Sequence, residues 1–447
     1  MGLSEAFSTL PTALPGSFDQ LARHLPDEWV AEALEATGTA TIRKRRLPAE
    51  QVLWLVLGMA LMRNHSVQRL AALLDIALPS KTGRLAVPSA LVQARQRLGA
   101  APLEYLFATT GACWAARSAE ADRWRGLAVY AMDGTTVRVP DSPDNWTTFG
   151  GQVGNGTRAG SAYPTARVVA LMAVRSHVLA AMRVGSYATG EVTLARELWD
   201  DVPADSLIIV DKNFLIAAEL SRLGGDGTNR QWLTRAKSKT KLRTLERFGR
   251  GDELVEIELS RETRRTNPGL PATWVARAIH YRRKGFQPSV LVTSLTDPTK
   301  HPRDEVVELY HERWEIELGY DEVKTHMLAR EEAIRSRTPE GARQELWAVG
   351  LAYNLVRLEM ERVAMMAGLP PRRISFVNSL MLLCNAWLVW SAEPLAPGRI
   401  PPQLRDLEAQ LGLLVLPPRR SDRRYPRVVK LKMSNYDKKW VRRAVTK

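Results

Sequence analysis

The sequence predicts an α/β protein: an α/β core with a β-rich insertion, flanked by helical regions at its N- and C-terminal ends. Three observations predict it. Up to about residue 120 the text is helical and strand-poor, from about residue 125 strand-length apolar runs alternate with helical segments, and beyond about residue 345 long apolar helices return. At 447 residues and 45% hydrophobic content the chain can bury a substantial core, and length alone suggests about two to four domains. We divide it into an N-terminal helical domain at 1–120, a central α/β domain at 121–345 with its insertion at about 236–288, and a C-terminal helical region with a basic tail at 346–447.

In the first region "LPDEWVAEALEATG" is a helix ending at Gly38, and "LPAEQVLWLVLGMALMRN" opens with Pro48 at a helix-start position. Between them lies the basic run Arg43, Lys44, Arg45, Arg46. A third unit, "PSALVQARQRLG", starts at Pro88 and Ser89, presents Arg95 and Arg97, and stops at Gly99. Short basic helices around an apolar one suit a small DNA-binding bundle, which makes Arg43 to Arg46 candidate DNA contacts.

In the central region "LAVYAMD" is an apolar run closed by Asp133; Gly134 then permits a turn, and "TTVRVP" alternates as a hairpin partner. Strands follow in "ARVVALMAV" and "HVLAAMRV", then a helix in "GEVTLARELWDDV". "SLIIVDKNF" is a second buried strand, closed by Asp211, and "IAAELSRLG" is the helix after it. Asp133 and Asp211 then sit at the carboxyl ends of core strands, the edge where open α/β sheets place their ligands. "QWLTRAK", "LVEIELS" and "WVARAIHYR" lead through the insertion to a last core strand, Ser289 to Leu295, with Trp232 and Trp274 expected in the core.

Pro302 and Asp304 precede a helix carrying "YHERWEIELGYDEVKTH", on which Tyr310, Arg313, Glu317 and Lys324 share an arc of about 60°. Apolar helices in "ELWAVGLAYNLVRLEMERVAMMAG" and "RRISFVNSLMLLCNAWLVW" close the C-terminal region, before the Pro-rich "EPLAPGRIPPQ".

The formal net charge of +15 is the electrostatic footprint of a polyanion partner. Much of it lies in Pro417 to Lys447, which holds twelve Lys/Arg against two Asp. Tyr425, Tyr436 and Trp440 are interleaved there, a pattern that suits phosphate contact with added stacking and makes Trp440 a candidate DNA contact. No run approaches the roughly 20 apolar residues of a membrane span, and the N-terminus lacks a basic region followed by an apolar run, so a cytoplasmic protein without a membrane partner is expected. Cys113 and Cys384 lie in apolar segments and read as buried thiols. The seven His are scattered without a zinc-ligand pattern.

Two aspartates on neighbouring strand ends and a glutamate on a following helix supply what hard cations need: close oxygen ligands with open positions for water and substrate. Two Mg²⁺ ions on such ligands can activate one oxygen and stabilise the leaving one in phosphoryl transfer. Here the sequence resembles the bacterial insertion-sequence transposases of the IS-four group. The resemblance is carried by "MDGTTVRVPD" around Asp133, by "VDKNF" around Asp211, and by Tyr310-x2-Arg313-x3-Glu317-x6-Lys324, the group's Y-R-E-K signature. It extends to "ALEATGTATIRKRRLPAEQVLWLVLGMAL", "ARQRLG", "LWAVGLAYNLVR" and "RRISF", nearly the whole chain.

The resemblance implies a ribonuclease-H-like DDE catalytic core in which Asp133, Asp211 and Glu317 bind the metals. It implies that Tyr310, Arg313 and Lys324 contact phosphates near the cut. Mg²⁺ is the expected cofactor, with Mn²⁺ as substitute. The expected partners are double-stranded DNA, as transposon inverted repeats and as target, and a second copy of the chain in a homodimeric synaptic complex. The expected reaction is hydrolysis at transposon ends, then attack of the freed 3′-hydroxyl on target DNA. A nuclease that cuts without strand transfer is the enzymatic alternative. A DNA-binding protein descended from a transposase is the non-enzymatic one, and the intact triad argues against it. Where the family can hold an extruded base on an aromatic residue of the insertion, this chain has Pro288 and Ser289 before "VLVTS".

Overall fold

The computed structural model describes residues 24–40, 47–74, 87–153, 160–223, 227–238, 240–283, 287–328, 334–392, 405–407, 409–410 and 412–417. Arg43, Lys44, Arg45, Arg46 and Trp440 lie outside the described residues.

Helices α1 (Asp27–Ala36), α2 (Ala49–Leu61), α3 (Val67–Leu73), α4 (Pro88–Leu98) and α5 (Ala101–Glu120) precede the sheet. Pro48 and Gly99 bound α2 and α4 as their backbone preferences require, Gly99 with φ +65°. Every residue of α2 from Val52 to Leu61 is buried, so this helix is apolar on all sides and runs inside the core, against α4 and the long helix α12 (Pro339–Met366). Arg95, expected to be presented outward, instead faces α12. Its Nε donates to Gln344 Oε1 at 3.1 Å and its Nη2 to Glu345 Oε1 at 3.1 Å. Cys113 also departs from expectation: it lies on the exposed face of α5, while Cys384 is partly buried.

Nine strands follow: β1 (Ala128–Arg138), β2 (Thr165–Ala173), β3 (Leu179–Ser186), β4 (Ser206–Val210), β5 (Arg230–Arg235), β6 (Leu242–Gly249), β7 (Asp252–Glu258), β8 (Thr273–Tyr281) and β9 (Ser289–Thr293). They form one sheet in the order β3-β2-β1-β4-β5-β9-β8-β7-β6. β1, β2 and β3 pair antiparallel, whereas β1, β4 and β5 pair parallel. This half of the sheet is a ribonuclease-H-like core. β4, "SLIIV", is wholly buried between two parallel neighbours, which is why it reads as an unbroken apolar run.

Helices α6 (Pro143–Phe149), α7 (Glu191–Arg196), α8 (Ala217–Leu223), α9 (Arg261–Thr266), α10 (Arg303–His311), α11 (Trp314–Asp321), α12 and α13 (Phe376–Ala392) complete the described elements. α5, α11 and α12 pack on the sheet, and the buried apolar residues of α1 to α5, the sheet and α12 form one contiguous cluster. α12 runs through the division that the sequence places at 345/346.

The sequence reading needs four corrections in this region. "TTVRVP" is no separate hairpin strand: β1 runs straight through Asp133 and Gly134 to Arg138, and its hairpin partner is β2. The helix read in "GEVTLARELWDDV" is only the six residues of α7. The fifth core strand is β5; β9, expected to be the last core strand, joins β5 antiparallel and carries the sheet into the insertion. The Y-R-E-K stretch is not one helix: α10 ends at His311 and α11 starts at Trp314, after a tightened turn with Glu312 N–H bonded to Leu309 O and Arg313 N–H to Tyr310 O. α11 then gives way to a π-helical turn, Glu322–Met327.

Candidate active site

The parallel register of β1 and β4 ends at the pair Met132 and Val210. Asp133 and Asp211 are the next residue on each strand, so the backbone sets them side by side where the two strands part. β4 stops there, and Asp211 caps a 3₁₀ turn, Lys212–Phe214. β1 continues because its other edge remains paired with β2. Asp133 thus lies at the carboxyl end of the parallel ladder without ending its strand.

Gly134 has a reason other than a turn. A β-carbon there would fall 2.1 Å from Glu191 Oε1 and 2.5 Å from Glu191 Cγ, so only glycine admits the Glu191 side chain against the strand. Glu191, at the start of α7, lies against the strand at this point, where its charge acts on the Asp133 carboxyl. Burial first, then the Glu191 charge, push Asp133 up to about 6, against the lowering pull of the Gly134 N–H and Arg313. On the opposite side the Tyr320 hydroxyl enters the β1/β2 ladder. It donates to Asp133 O at 2.6 Å and accepts from Ala170 N–H at 3.2 Å, tying α11 to the Asp133 backbone.

Arg313 joins the two carboxylates on this side. Its Nη1 donates to Asp133 Oδ2 at 3.3 Å and its Nη2 to Glu317 Oε1 at 2.7 Å. Glu317 is thereby brought to Asp133 through a guanidinium. Asp211 is not reached by that guanidinium; its own cation is Arg235, whose Nη2 lies 4.0 Å from Asp211 Oδ1. Tyr310, in the last turn of α10, is buried, and burial above all pushes its hydroxyl up to about 12. Lys324 lies in the π turn and donates to Thr135 Oγ1 at 3.3 Å, its ammonium lowered first by desolvation and then by Arg138. Among the described residues no group of three or more His, Cys, Asp or Glu is arranged to hold a metal ion.

A cleft of about 780 Å³ opens over β1. Asp133, Glu317 and Asp321 line it with Lys324 and Arg138, so carboxylates and cations share one surface. Glu191, Tyr320, Arg235 and Arg138 were missed by sequence reasoning. None of the four carried a local signal: even Arg138, on β1 with Asp133, stands an odd number of residues away, so strand alternation alone puts it on the other face.

Residues 124–355 match the family described as "Transposase DDE domain", and residues 15–108 match "Insertion element 4 transposase N-terminal". The chain is 36% identical over 419 residues to the "Transposase InsG for insertion sequence element IS4" of Escherichia coli (strain K12), covering 94% of this chain and 93% of that one. This chain belongs to the IS4 family of DDE transposases. It is also 36% identical over 228 residues to the "Putative transposase InsZ" of the same organism, covering 51% of this chain and 74% of that one. A piggyBac transposase in a synaptic complex with hairpin DNA superposes with TM-score 0.43 at 10% identity, covering 91% of this chain and 86% of that one. As an IS4-family enzyme the chain is a DNA transposase, and its DDE domain implies use of a divalent metal. Among the described residues no helix is long and apolar enough to cross a membrane.

Proposed function

We propose that Asp133, Asp211 and Glu317 hold the divalent ions of a DNA strand-cleaving and strand-joining centre, with Mg²⁺ the working ion and Mn²⁺ its substitute. The donor set supports this: three carboxylates, each with solvent access, two at the carboxyl end of the β1/β4 parallel ladder and one on the facing helix, suit hard cations. Bound there, the metals would supply a nucleophile at neutral pH and stabilise the leaving oxygen. The single observation that carries the reading is the β1/β4 register, which sets Asp133 beside Asp211.

In this reading the chain's own residues do the rest. Arg313, whose planar fork lies between Asp133 and Glu317, rotates out to take a phosphate bidentately, and Lys324 acts as a point charge on the next one. Tyr310 backs the site from α10. Water attacks phosphorus at the element end, and the departing 3′-oxygen takes a proton to become a hydroxyl. That 3′-oxygen then attacks a target phosphorus and displaces a new 3′-hydroxyl. Residues 1–120 with Arg43 to Arg46 recognise the end sequence. The tail with Trp440 adds backbone contact, and two copies pair the ends in the bacterial cytoplasm, on the nucleoid.

The test incubates the protein and Mg²⁺ with a duplex carrying the element's own terminal repeat and a supercoiled plasmid target. The proposal expects cut ends and ends covalently joined to plasmid through their 3′-oxygen, both abolished by chelation. Cut ends with no joined product would replace it with a nuclease.

A further inference from the structure

A buried ionic network lies directly behind the candidate site, and none of the roles above uses it. The segment that carries Glu317 and Lys324 also carries Glu315 and Glu322. At 100° per residue two positions seven apart nearly coincide, and two positions two apart lie roughly opposite. Glu317 and Lys324 therefore form one stripe, toward the cleft, and Glu315 and Glu322 form another, toward the interior.

That inner stripe is held from two directions. His177 Nε2 meets Glu315 Oε2 at 2.8 Å, and Arg357 Nη2 meets His177 Nδ1 at 2.6 Å. A guanidinium can only donate, so Nδ1 accepts and Nε2 donates to Glu315. Arg357 also donates to Glu322 Oε2, and Tyr353 OH donates to the same oxygen at 2.8 Å. Arg357 stacks on Tyr353 and Phe376, and is itself 2% exposed. His177, in the β2–β3 turn, adopts φ 66°, a left-handed backbone uncommon outside glycine.

We propose that His177, Arg357 and Glu322 are positioning residues for this transposase: by gripping the inner stripe they stabilise the π turn and so fix where Glu317 and Lys324 stand over the cleft. A π turn is strained helix and persists where something holds it. Here the grip falls on its first residue, Glu322, two before Lys324. Burial would raise the Glu322 carboxyl, yet Arg357 first and then the Tyr353 hydroxyl hold it down at about 2, so the anchor is charged at every working pH. The network connects α12 and the β2–β3 turn to the outer stripe without touching the cleft.

The inference rests on the proposed roles of Glu317 and Lys324, and its test keeps the two apart. Full-length wild type, Glu322→Gln, the double variant Glu322→Met/Arg357→Met, and Tyr353→Phe are compared on the terminal-repeat duplex. Measured are melting temperature, DNA affinity, Mn²⁺ affinity by calorimetry, and single-turnover cleavage against Mn²⁺ concentration.

The double variant replaces a buried ion pair with apolar groups, which often restores stability. A positioning role expects it to melt near wild type and bind DNA within about threefold, yet cleave at least about tenfold more slowly, with Mn²⁺ binding weakened. Tyr353→Phe, which keeps the ion pair, should show a smaller change in the same direction. Cleavage and Mn²⁺ affinity that recover together with melting temperature would overturn the inference and leave the network a matter of stability alone. If the double variant does not fold, normal cleavage and Mn²⁺ binding by Glu322→Gln and Tyr353→Phe would overturn it equally. Asp133→Ala serves as the control, because cleavage by that variant would sink the proposed function instead.

Discussion

Gly134 is where one missing side chain decides the geometry of an acid. With Glu191 occupying the space of its β-carbon, Gly134→Ala forces Glu191 off Asp133. We expect a loss of about 1 to 3 kcal/mol in urea unfolding, typical of overpacking, and slower cleavage. Adding Glu191→Ala should recover the stability, and a strictly additive double variant would contradict the contact. Glu322 sets a pH dependence of stability. Its folded carboxyl is depressed from 4.5 to about 2, so its stabilisation is complete above about pH 4.5 and is lost as pH falls through about 2. The shift corresponds to roughly 3 kcal/mol. Urea midpoints between pH 5 and 2.5 should fall less steeply in Glu322→Gln; parallel curves would contradict the assignment. These residues were hard to read in the sequence for a physical reason. Asp133, Asp211 and Glu317 stand in runs whose pattern carries their position, whereas Glu191 and Tyr320 reach the site, and Arg357 the network behind it, only through tertiary packing.

The strand-rich insertion and the helix after it are joined by Arg277. Fully buried on β8, it makes a two-bond pair with Asp252 of β7 at 2.7 and 2.6 Å and donates to His301 O, just before α10, at 2.6 Å. The insertion is thereby fastened to the entry of the Y-R-E-K segment. Arg277→Ala leaves Asp252 charged and buried, so we expect a loss of about 3 to 5 kcal/mol, read from chemical denaturation. A loss under about 1 kcal/mol would mean the pair is solvated. At this scale the periodicity in the sequence located β1 and β4, because buried parallel strands read as short apolar runs, but it took β9 for the last core strand in place of β5. It also placed Trp232 in the core, where it packs on the partly buried Trp274 at 4.8 Å. It could not locate the break between α10 and α11 or the π turn. Both depend on what Arg313 and Glu322 pair with across the fold, and no local propensity encodes that.

Across the whole chain the charge is uneven, with the excess concentrated in 417–447. Deleting that tail should flatten the dependence of log K on log salt, each lost phosphate contact on duplex DNA removing about 0.9 from the slope. An unchanged slope would make the tail a solubilising one. The tail-deleted protein should still prefer an end sequence to random DNA, since recognition is assigned to residues 1–120. The account's central claim is that the β1/β4 register and the facing helix assemble one metal-dependent centre from Asp133, Asp211 and Glu317. The most direct test is single-turnover cleavage of a terminal-repeat duplex by wild type, Asp133→Ala, Asp211→Ala and Glu317→Ala across a Mg²⁺ titration, with DNA affinity measured in parallel. The account predicts that each substitution abolishes cleavage at every Mg²⁺ concentration while DNA affinity stays within a few-fold of wild type. Wild-type cleavage by any one of the three would contradict it.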